Sequence, residues 1–315
     1  MSVKTGDPHE NRNPRRTEKP EPMKSGVVAV VGRPSAGKSS LMNAICGHKI
    51  SIVASVPQTT RNTIRGILTT EDGQIVFLDT PGFHRSNREF NMRMRDLVGT
   101  TVREAECILY IIDATRAPGA EETMLAEMVA SAGLPVVIAV NKIDLPEANA
   151  NAIEAWVATQ IGSTLTVRVS ALSRAGIGRL VAALYERLPE GELMYPSEFY
   201  TDQEPEFRAA EIIREQAVNR TREELPHSLY VEVHDMEKRP HGALWVRADI
   251  LVEKESQKGI VVGKGGSLIK EIRLSAQKEL ADVFERRVEL DLRVKLNHNW
   301  TKKDAVLRRV FRSTQ

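Results

Sequence analysis

The sequence predicts an α/β domain built on a mostly parallel sheet, followed by a smaller α+β domain. Three observations carry that prediction. Short apolar runs alternate with helical patterns as far as Leu188. A polar stretch punctuated by Pro189, Gly191, Pro196 and Pro205 then breaks the rhythm. Beyond it come two strand patterns, a glycine-rich turn flanked by helices, and a late strand. Alternating strands and helices imply parallel strands covered on both faces.

Each element has its own signal. Val27–Val31 is an apolar run closed by a glycine, which reads as a buried strand. Lys38–Cys46 reads as a helix. Ile64–Thr70 and Gln74–Leu78 read as strands joined by Glu71-Asp72-Gly73, a turn containing Asp-Gly. Cys107–Ile112 and Pro135–Val140 are further apolar runs, and Leu165–Val169 is a weaker one. Helical patterns cover Phe90–Arg103, Glu121–Ala132, Ala150–Ile161 and Gly178–Leu188. In the second half the expected elements are a helix over Phe207–Arg222, strands over Ser228–Glu237, Ala243–Val252 and Arg287–Lys295, and a final helix over Lys302–Phe311. There is no internal repeat. The expected boundaries are a disordered tail over 1–24, a first domain over 25–189, a linker over 190–205 and a second domain over 206–315.

Composition sets outer limits. The 315 residues are 41% apolar and 27% charged, ordinary for a globular protein. Cys46 and Cys107 lie far apart with no metal-ligand spacing, which speaks against a zinc site or a disulfide framework. No stretch approaches the ~18 apolar residues of a membrane span. Met1 to Pro22 is polar and carries both charge signs, unlike a secretion signal. It reads as disordered, with an RNA- or protein-binding tail as the alternative. The net charge of +2 is uneven: from Gly259 onward there are 13 Lys and Arg against 7 acids, or +6. A basic C-terminal segment suits a nucleic-acid partner; a solvated charged helix face is the plain alternative.

Gly32-Arg33-Pro34-Ser35-Ala36-Gly37-Lys38-Ser39 fits GxxxxGK[ST] in full, between a predicted strand and a predicted helix. Backbone N–H groups of such a loop wrap phosphates, and the helix N-terminus adds positive potential. Lys38 is expected to reach the terminal phosphates, and Ser39 to ligate Mg²⁺. Asp79-Thr80-Pro81-Gly82 ends the third strand; Asp79 can hold Mg²⁺, and the Gly82 N–H can meet a terminal phosphate. Asn141-Lys142-Ile143-Asp144 follows another strand. The Asp144 carboxylate can accept from N1–H and the 2-amino group of guanine, both absent in adenine. Asn141 can brace the loop or contact N7. Ser170-Ala171-Leu172 can place a backbone N–H near guanine O6. Gln58-Thr59-Thr60-Arg61 offers a threonine that closes over Mg²⁺ and the γ-phosphate, with Thr60 favoured. Catalytic roles therefore fall to Lys38, Thr60 and Gly82, and metal ligation to Ser39, Thr60 and Asp79. Phe83 stands where many such enzymes carry a water-orienting glutamine. The water must then be oriented by backbone, another side chain such as His84, a cation or a partner. Slow intrinsic turnover is expected.

In the second domain, Gly263-Lys264-Gly265-Gly266 follows Ile260-Val261-Val262 and precedes Ser267-Leu268-Ile269-Lys270. A GxxG loop in this setting clamps the backbone of about four single-stranded nucleotides. Lys264 and Lys270 supply charge. Ile260, Val262, Leu268 and Ile272 are expected to line the base groove, and Leu274, Leu280 and Phe284 to be core.

Taken together these segments resemble the Era family of bacterial GTPases. The resemblance covers GRPSAGKSSLMNA from Gly32, PQTTR from Pro57, DTPGFH from Asp79, NKID from Asn141 and SAL from Ser170. It continues through AAEIIRE from Ala209, TREELPHS from Thr221, IVVGKGG from Ile260 and the Asn299-Trp300 region. Ser35-Ala36 stands where the family usually has Asn-Val, and the N-terminal tail is long. The resemblance implies a P-loop GTPase domain followed by a type II KH domain, using GTP/GDP and Mg²⁺. It implies a GTP-dependent switch that binds the 3′ end of 16S rRNA and assists biogenesis of the 30S subunit. It also implies a cytoplasmic, monomeric protein with peripheral contact at the inner membrane surface. The competing readings are a tRNA-modifying or membrane-transport GTPase and a non-enzymatic RNA-binding protein with a vestigial nucleotide fold.

Overall fold

The computed structural model describes residues 23–53, 64–79, 103–162, 165–221 and 225–298. Residues 1–22 of the expected tail, Thr59 and Thr60, Thr80–Phe83 with His84, most of the helix over 90–103 and the final helix lie outside these, while Lys24, placed in the tail, opens the first strand.

Among the described residues the first domain holds a six-stranded sheet in the order β2-β3-β1-β4-β5-β6. The strands are β1 Lys24–Val31, β2 Ile64–Thr70, β3 Gly73–Asp79, β4 Cys107–Asp113, β5 Val136–Asn141 and β6 Leu165–Arg168. Only β2 runs antiparallel, paired with β3 through the expected turn. β1 lies between β3 and β4 and is parallel to both. Side chains alternate across the sheet, so it feeds two cores. Val28, Val30, Leu109, Ile111 and Ala139 face helices α1 (Lys38–Cys46) and α4 (Ile177–Tyr185). Ala29, Val31, Ile108, Ile112 and Val140 face α2 (Ala120–Ser131) and α3 (Ala150–Gln160). β3 and β4 are buried along their whole length, and Ile75–Leu78 and Cys107–Ile112 within them are unbroken apolar runs.

The linker is a docked strap. Ile67 donates its N–H to Tyr200 O at 2.9 Å, and the Thr201 hydroxyl donates to Arg65 O at 2.9 Å, so residues near 200 lie along the outer edge of β2. Gln74 is fully buried beneath the strap. Its Oε1 accepts from Met194 N at 2.8 Å and Tyr195 N at 2.9 Å, and its Nε2 donates to Tyr195 O at 2.9 Å.

The second domain runs α5 (Pro205–Val218), α6 (Leu225–Ser228), β7 (Tyr230–Lys238), β8 (Leu244–Val252), α7 (Glu255–Val262), a 3₁₀ turn, α8 (Ser267–Phe284) and β9 (Val288–Leu296). β7 pairs antiparallel and β9 parallel with the central β8. β7 starts two residues later than expected, because the Ser228 hydroxyl donates to Leu225 O at 3.1 Å and closes a short helix. Leu244, Val246, Ala248, Ile250 and Val252 of β8 face the helices. The opposite face is charged and internally paired: Arg247 with Asp235, Lys295 with Asp249, Arg293 with Asp291 and Arg239 with Glu237.

Gln74→Ala removes the strap's three side-chain anchors from a buried position. It is expected to cost about 1–3 kcal/mol. Limited proteolysis should then cut within 190–205 sooner than in the parent chain; unchanged cleavage overturns the anchoring role.

Candidate nucleotide site and RNA-facing loop

The loop Gly32–Ser39 leaves β1 at its carboxyl end and enters α1. Gly37 has φ +93°, and a Cβ there would lie 2.3 Å from Asn141 Nδ2. No larger residue fits that approach. Lys38 is buried and folded over the loop, donating Nζ to Gly32 O at 2.9 Å and Arg33 O at 3.2 Å. Burial lowers its pKa from the ordinary lysine value, against the opposing charges of Asp79 and Glu122.

The carboxylate of Asp79, at the end of β3, is fully buried. Its Oδ2 accepts from Ser39 Oγ at 3.2 Å and from Ser51 Oγ at 3.0 Å. A serine hydroxyl and a carboxylate at one point make an oxygen donor set suited to a hard divalent cation. The expected Mg²⁺ ligands Ser39 and Asp79 are thus brought together. Thr60 lies outside the described residues, as do Thr80, Pro81, Gly82 and Phe83.

Asn141 is buried and bonds in two directions. Its Nδ2 donates to Ala36 O at 2.9 Å, and its Oδ1 accepts from Ala171 N at 3.1 Å. Of the two roles considered for it, this geometry is the bracing one. It also engages the Ala171 amide, while the Ser170 amide donates to Ala175 O at 3.0 Å within the turn. Lys142 has φ +67° and donates Nζ to Asp113 Oδ2 at 2.6 Å. Burial would raise the Asp113 pKa, but hydrogen bonds from Lys142 and Thr115 outweigh it and hold the carboxyl below its usual range. Ile143 N donates to Val169 O at 3.3 Å, packing the loop against the end of β6. Asp144 is exposed just beyond. Ser170 Oγ accepts from Ser173 N at 3.0 Å, and Leu172 projects from the turn at 84% exposure.

Sequence reasoning missed Glu122. It looked like an ordinary acid in a helix first turn, yet it is buried, paired with Arg33, and accepts from Tyr110 Oη at 2.6 Å. Burial raises its pKa, against the hydrogen bond from Tyr110 and the charge of Arg33. This anchor ties the phosphate loop to α2. Ser51 was also missed, because nothing near it in sequence marks it as a neighbour of Asp79.

In the second domain Gly263, Gly265 and Gly266 all have positive φ. A Cβ on Gly263 would lie 2.8 Å from Leu268 Cβ. Lys264 and Lys270 are exposed beside the loop. Ile260, on the last turn of α7, is 57% exposed, and Val262 is half-buried. Two expectations are corrected. Ile272 is fully buried in the core rather than lining the groove, and Leu274 is 49% exposed rather than core. Leu280 is core as expected, and Phe284 packs against it.

Comparison with known proteins matches this arrangement. The family model described as "50S ribosome-binding GTPase" matches residues 27–142, and the KH domain model matches residues 224–301. GTPase Era of Treponema denticola is 45% identical over 292 residues, covering 91% of this chain and 99% of the relative. GTPase Era of Borreliella burgdorferi is 46% identical over 290 residues, covering 92% and 100%. Among solved structures, a variant of Aquifex aeolicus Era bound to GDP and AlF₄⁻ matches with TM-score 0.84 and 34% identity, covering 92% of this chain and 99% of that one. Era in complex with MgGDPNP and nucleotides 1506–1542 of 16S ribosomal RNA matches with the same TM-score and identity, covering 92% and 98%. With both modules in the same order and near 45% identity over nine-tenths of each chain, this protein belongs to the Era family of GTPases.

Proposed function

We propose that the protein is a GTP-driven switch that binds the 3′ region of 16S rRNA through its KH domain and assists assembly of the 30S subunit. One observation carries the reading. Lys38, Ser39 and Asp79 converge at the carboxyl ends of β1 and β3, in a chain that also presents a glycine loop flanked by exposed lysines. The solved relative holding both MgGDPNP and 16S rRNA nucleotides supports the same pairing of ligands.

In this reading the loop amides of Gly32–Ser39 cradle the phosphates, and Lys38 turns from its carbonyl partners to the β- and γ-oxygens. Ser39 and Asp79, with Thr60, would hold Mg²⁺. That cation neutralises charge developing between the β- and γ-phosphates. Asp144 selects guanine, while Asn141 and Lys142 hold its loop. Gly82 offers its N–H to the γ-phosphate. Phe83 cannot orient water, so turnover is slow until a partner completes the site. Lys264 and Lys270 meet the RNA backbone, and Ile260 and Val262 meet bases. No helix among the described residues is long and apolar enough to cross a membrane. We place the protein in the cytoplasm as a monomer, with contact at the inner membrane surface resting on the family alone.

Lys38→Ala is expected to weaken GTP and GDP binding by about 10–100-fold, from loss of ~1.5–3 kcal/mol of charged hydrogen bonding. Isothermal titration checks this; retained affinity refutes the phosphate assignment. Asp144→Asn should cost guanine nucleotides ~1–3 kcal/mol and favour xanthine, whose 2-oxo group accepts where guanine's 2-amino group donates. Unchanged base preference in competition binding would remove Asp144 from the site. Affinity for a 16S 3′ RNA fragment is expected to differ between GDP, a non-hydrolysable GTP analogue and no nucleotide. Equal affinity in all three states defeats the switch reading.

A further inference from the structure

The segment Lys49–Val53 touches the nucleotide site on one side and two helices of the KH domain on the other. Its inner end is fixed to the nucleotide site. Asn43 of α1 accepts from Ile50 N at 2.8 Å and Ser51 N at 2.9 Å, and donates Nδ2 to Ser51 O at 2.8 Å. The buried Ser51 hydroxyl then reaches Asp79 Oδ2, the oxygen that also takes the Ser39 hydroxyl. Its outer side is fixed to the KH domain. Glu215 of α5, itself buried, accepts from Val53 N at 3.0 Å and pairs with Lys49. Lys49 also pairs with Glu279 of α8, the helix that begins beside the glycine loop. Arg208 donates to Lys49 O at 3.2 Å, Gln203 to Ile50 O at 3.0 Å, and Asn219 to Val53 O at 3.3 Å. A stacked column runs alongside: His48 on Tyr200 at 4.1 Å, then Arg208 between Tyr200 and Phe284.

We propose that Glu215 is a positioning residue for the nucleotide site, acting from the RNA-binding domain through Lys49–Val53 on Ser51 and Asp79. The physical basis is competition at one oxygen. A cation drawn to Asp79 Oδ2 weakens the Ser51 hydroxyl bond, and Ser51 cannot shift alone. Its backbone is held by Asn43, and its neighbours at 49 and 53 are held by Glu215. Lys49 spans α5 and α8, so a rearrangement at either end alters the charge pairing at the other. Two ligands that bias one element are coupled reciprocally: what nucleotide does to RNA affinity, RNA does to nucleotide affinity by the same factor.

This inference rests on the reading that RNA affinity depends on nucleotide state, and the test separates the two. The full chain and its Glu215→Ala, Glu215→Gln and Lys49→Met variants are titrated with a 16S 3′ RNA fragment, each with GDP and with Mg²⁺ and a non-hydrolysable GTP analogue. In the parent chain the two affinities are expected to differ by about 5–150-fold. Glu215→Ala and Lys49→Met should bring that ratio to within about twofold of one, while RNA affinity without nucleotide changes less than about threefold. Glu215→Gln keeps an acceptor for Val53 N–H and should recover part of the ratio, an outcome that a merely structural role would not produce. A parental ratio away from one that Glu215→Ala and Lys49→Met leave intact overturns the positioning role alone. A parental ratio of one overturns the switch reading and this inference with it.

Discussion

The nucleotide site depends on one buried amide. Asn141 sits at the end of β5 and bonds at once to the phosphate loop through Ala36 O and to the Ser170–Leu172 turn through Ala171 N. Three loops from three strands are thereby held in register by a side chain that water cannot reach. An interior amide left with either group unpaired would cost ~1–3 kcal/mol, so each loop is constrained by the needs of the others. The absent side chain of Gly37 belongs to the same arrangement, because any Cβ would lie 2.3 Å from the Asn141 amide nitrogen, too close to be accommodated.

A second constraint works from below the loop. The pair Arg33–Glu122, with the Tyr110 hydroxyl, fastens the first turn of the phosphate loop to α2. A buried ion pair is weak evidence for stability, since desolvation offsets its attraction, but breaking one partner leaves a buried charge. Its effect here is on geometry. It fixes Arg33, whose carbonyl oxygen is one of the two acceptors of Lys38. Lys38 lies close enough to Asp79 and to Glu122 of this pair that both carboxylates oppose the effect of burial on the lysine.

Much of this was legible in the sequence, for physical reasons that also mark where legibility ends. β3 and β4 bury both faces, so their composition announces them. The phosphate loop and the Asn141–Asp144 loop are local, and their residues act within a few positions of one another. The strap was not legible, because its bonds reach back more than 100 residues to Gln74 and Arg65. In sequence Gln74 only opens a predicted strand, and nothing local marks it as a partner for Met194 and Tyr195. Ser51 and Glu122 acquire roles only through tertiary neighbours. Ile272 and Leu274 show the limit most simply. Positions two residues apart on a helix differ by about 200°, so they face nearly opposite directions, and composition alone does not tell which one faces inward. The basic balance of the segment from Gly259 was likewise an incomplete guide, since its Arg293 and Lys295 are paired with Asp291 and Asp249 on the outer face of the sheet.

The strap along β2 has a consequence for how far the two domains can wander. A free chain of about 16 residues would let its ends separate by roughly 20–24 Å and sample a large volume. Laid down on β2 and pinned by Gln74, the same residues give almost no slack before α5 begins at Pro205. The KH domain therefore does not search for its neighbour as a tethered ball would. Residues of α5 are delivered against Lys49 and Val53 at a high effective concentration, so contacts too weak to hold two separate proteins together can still register here.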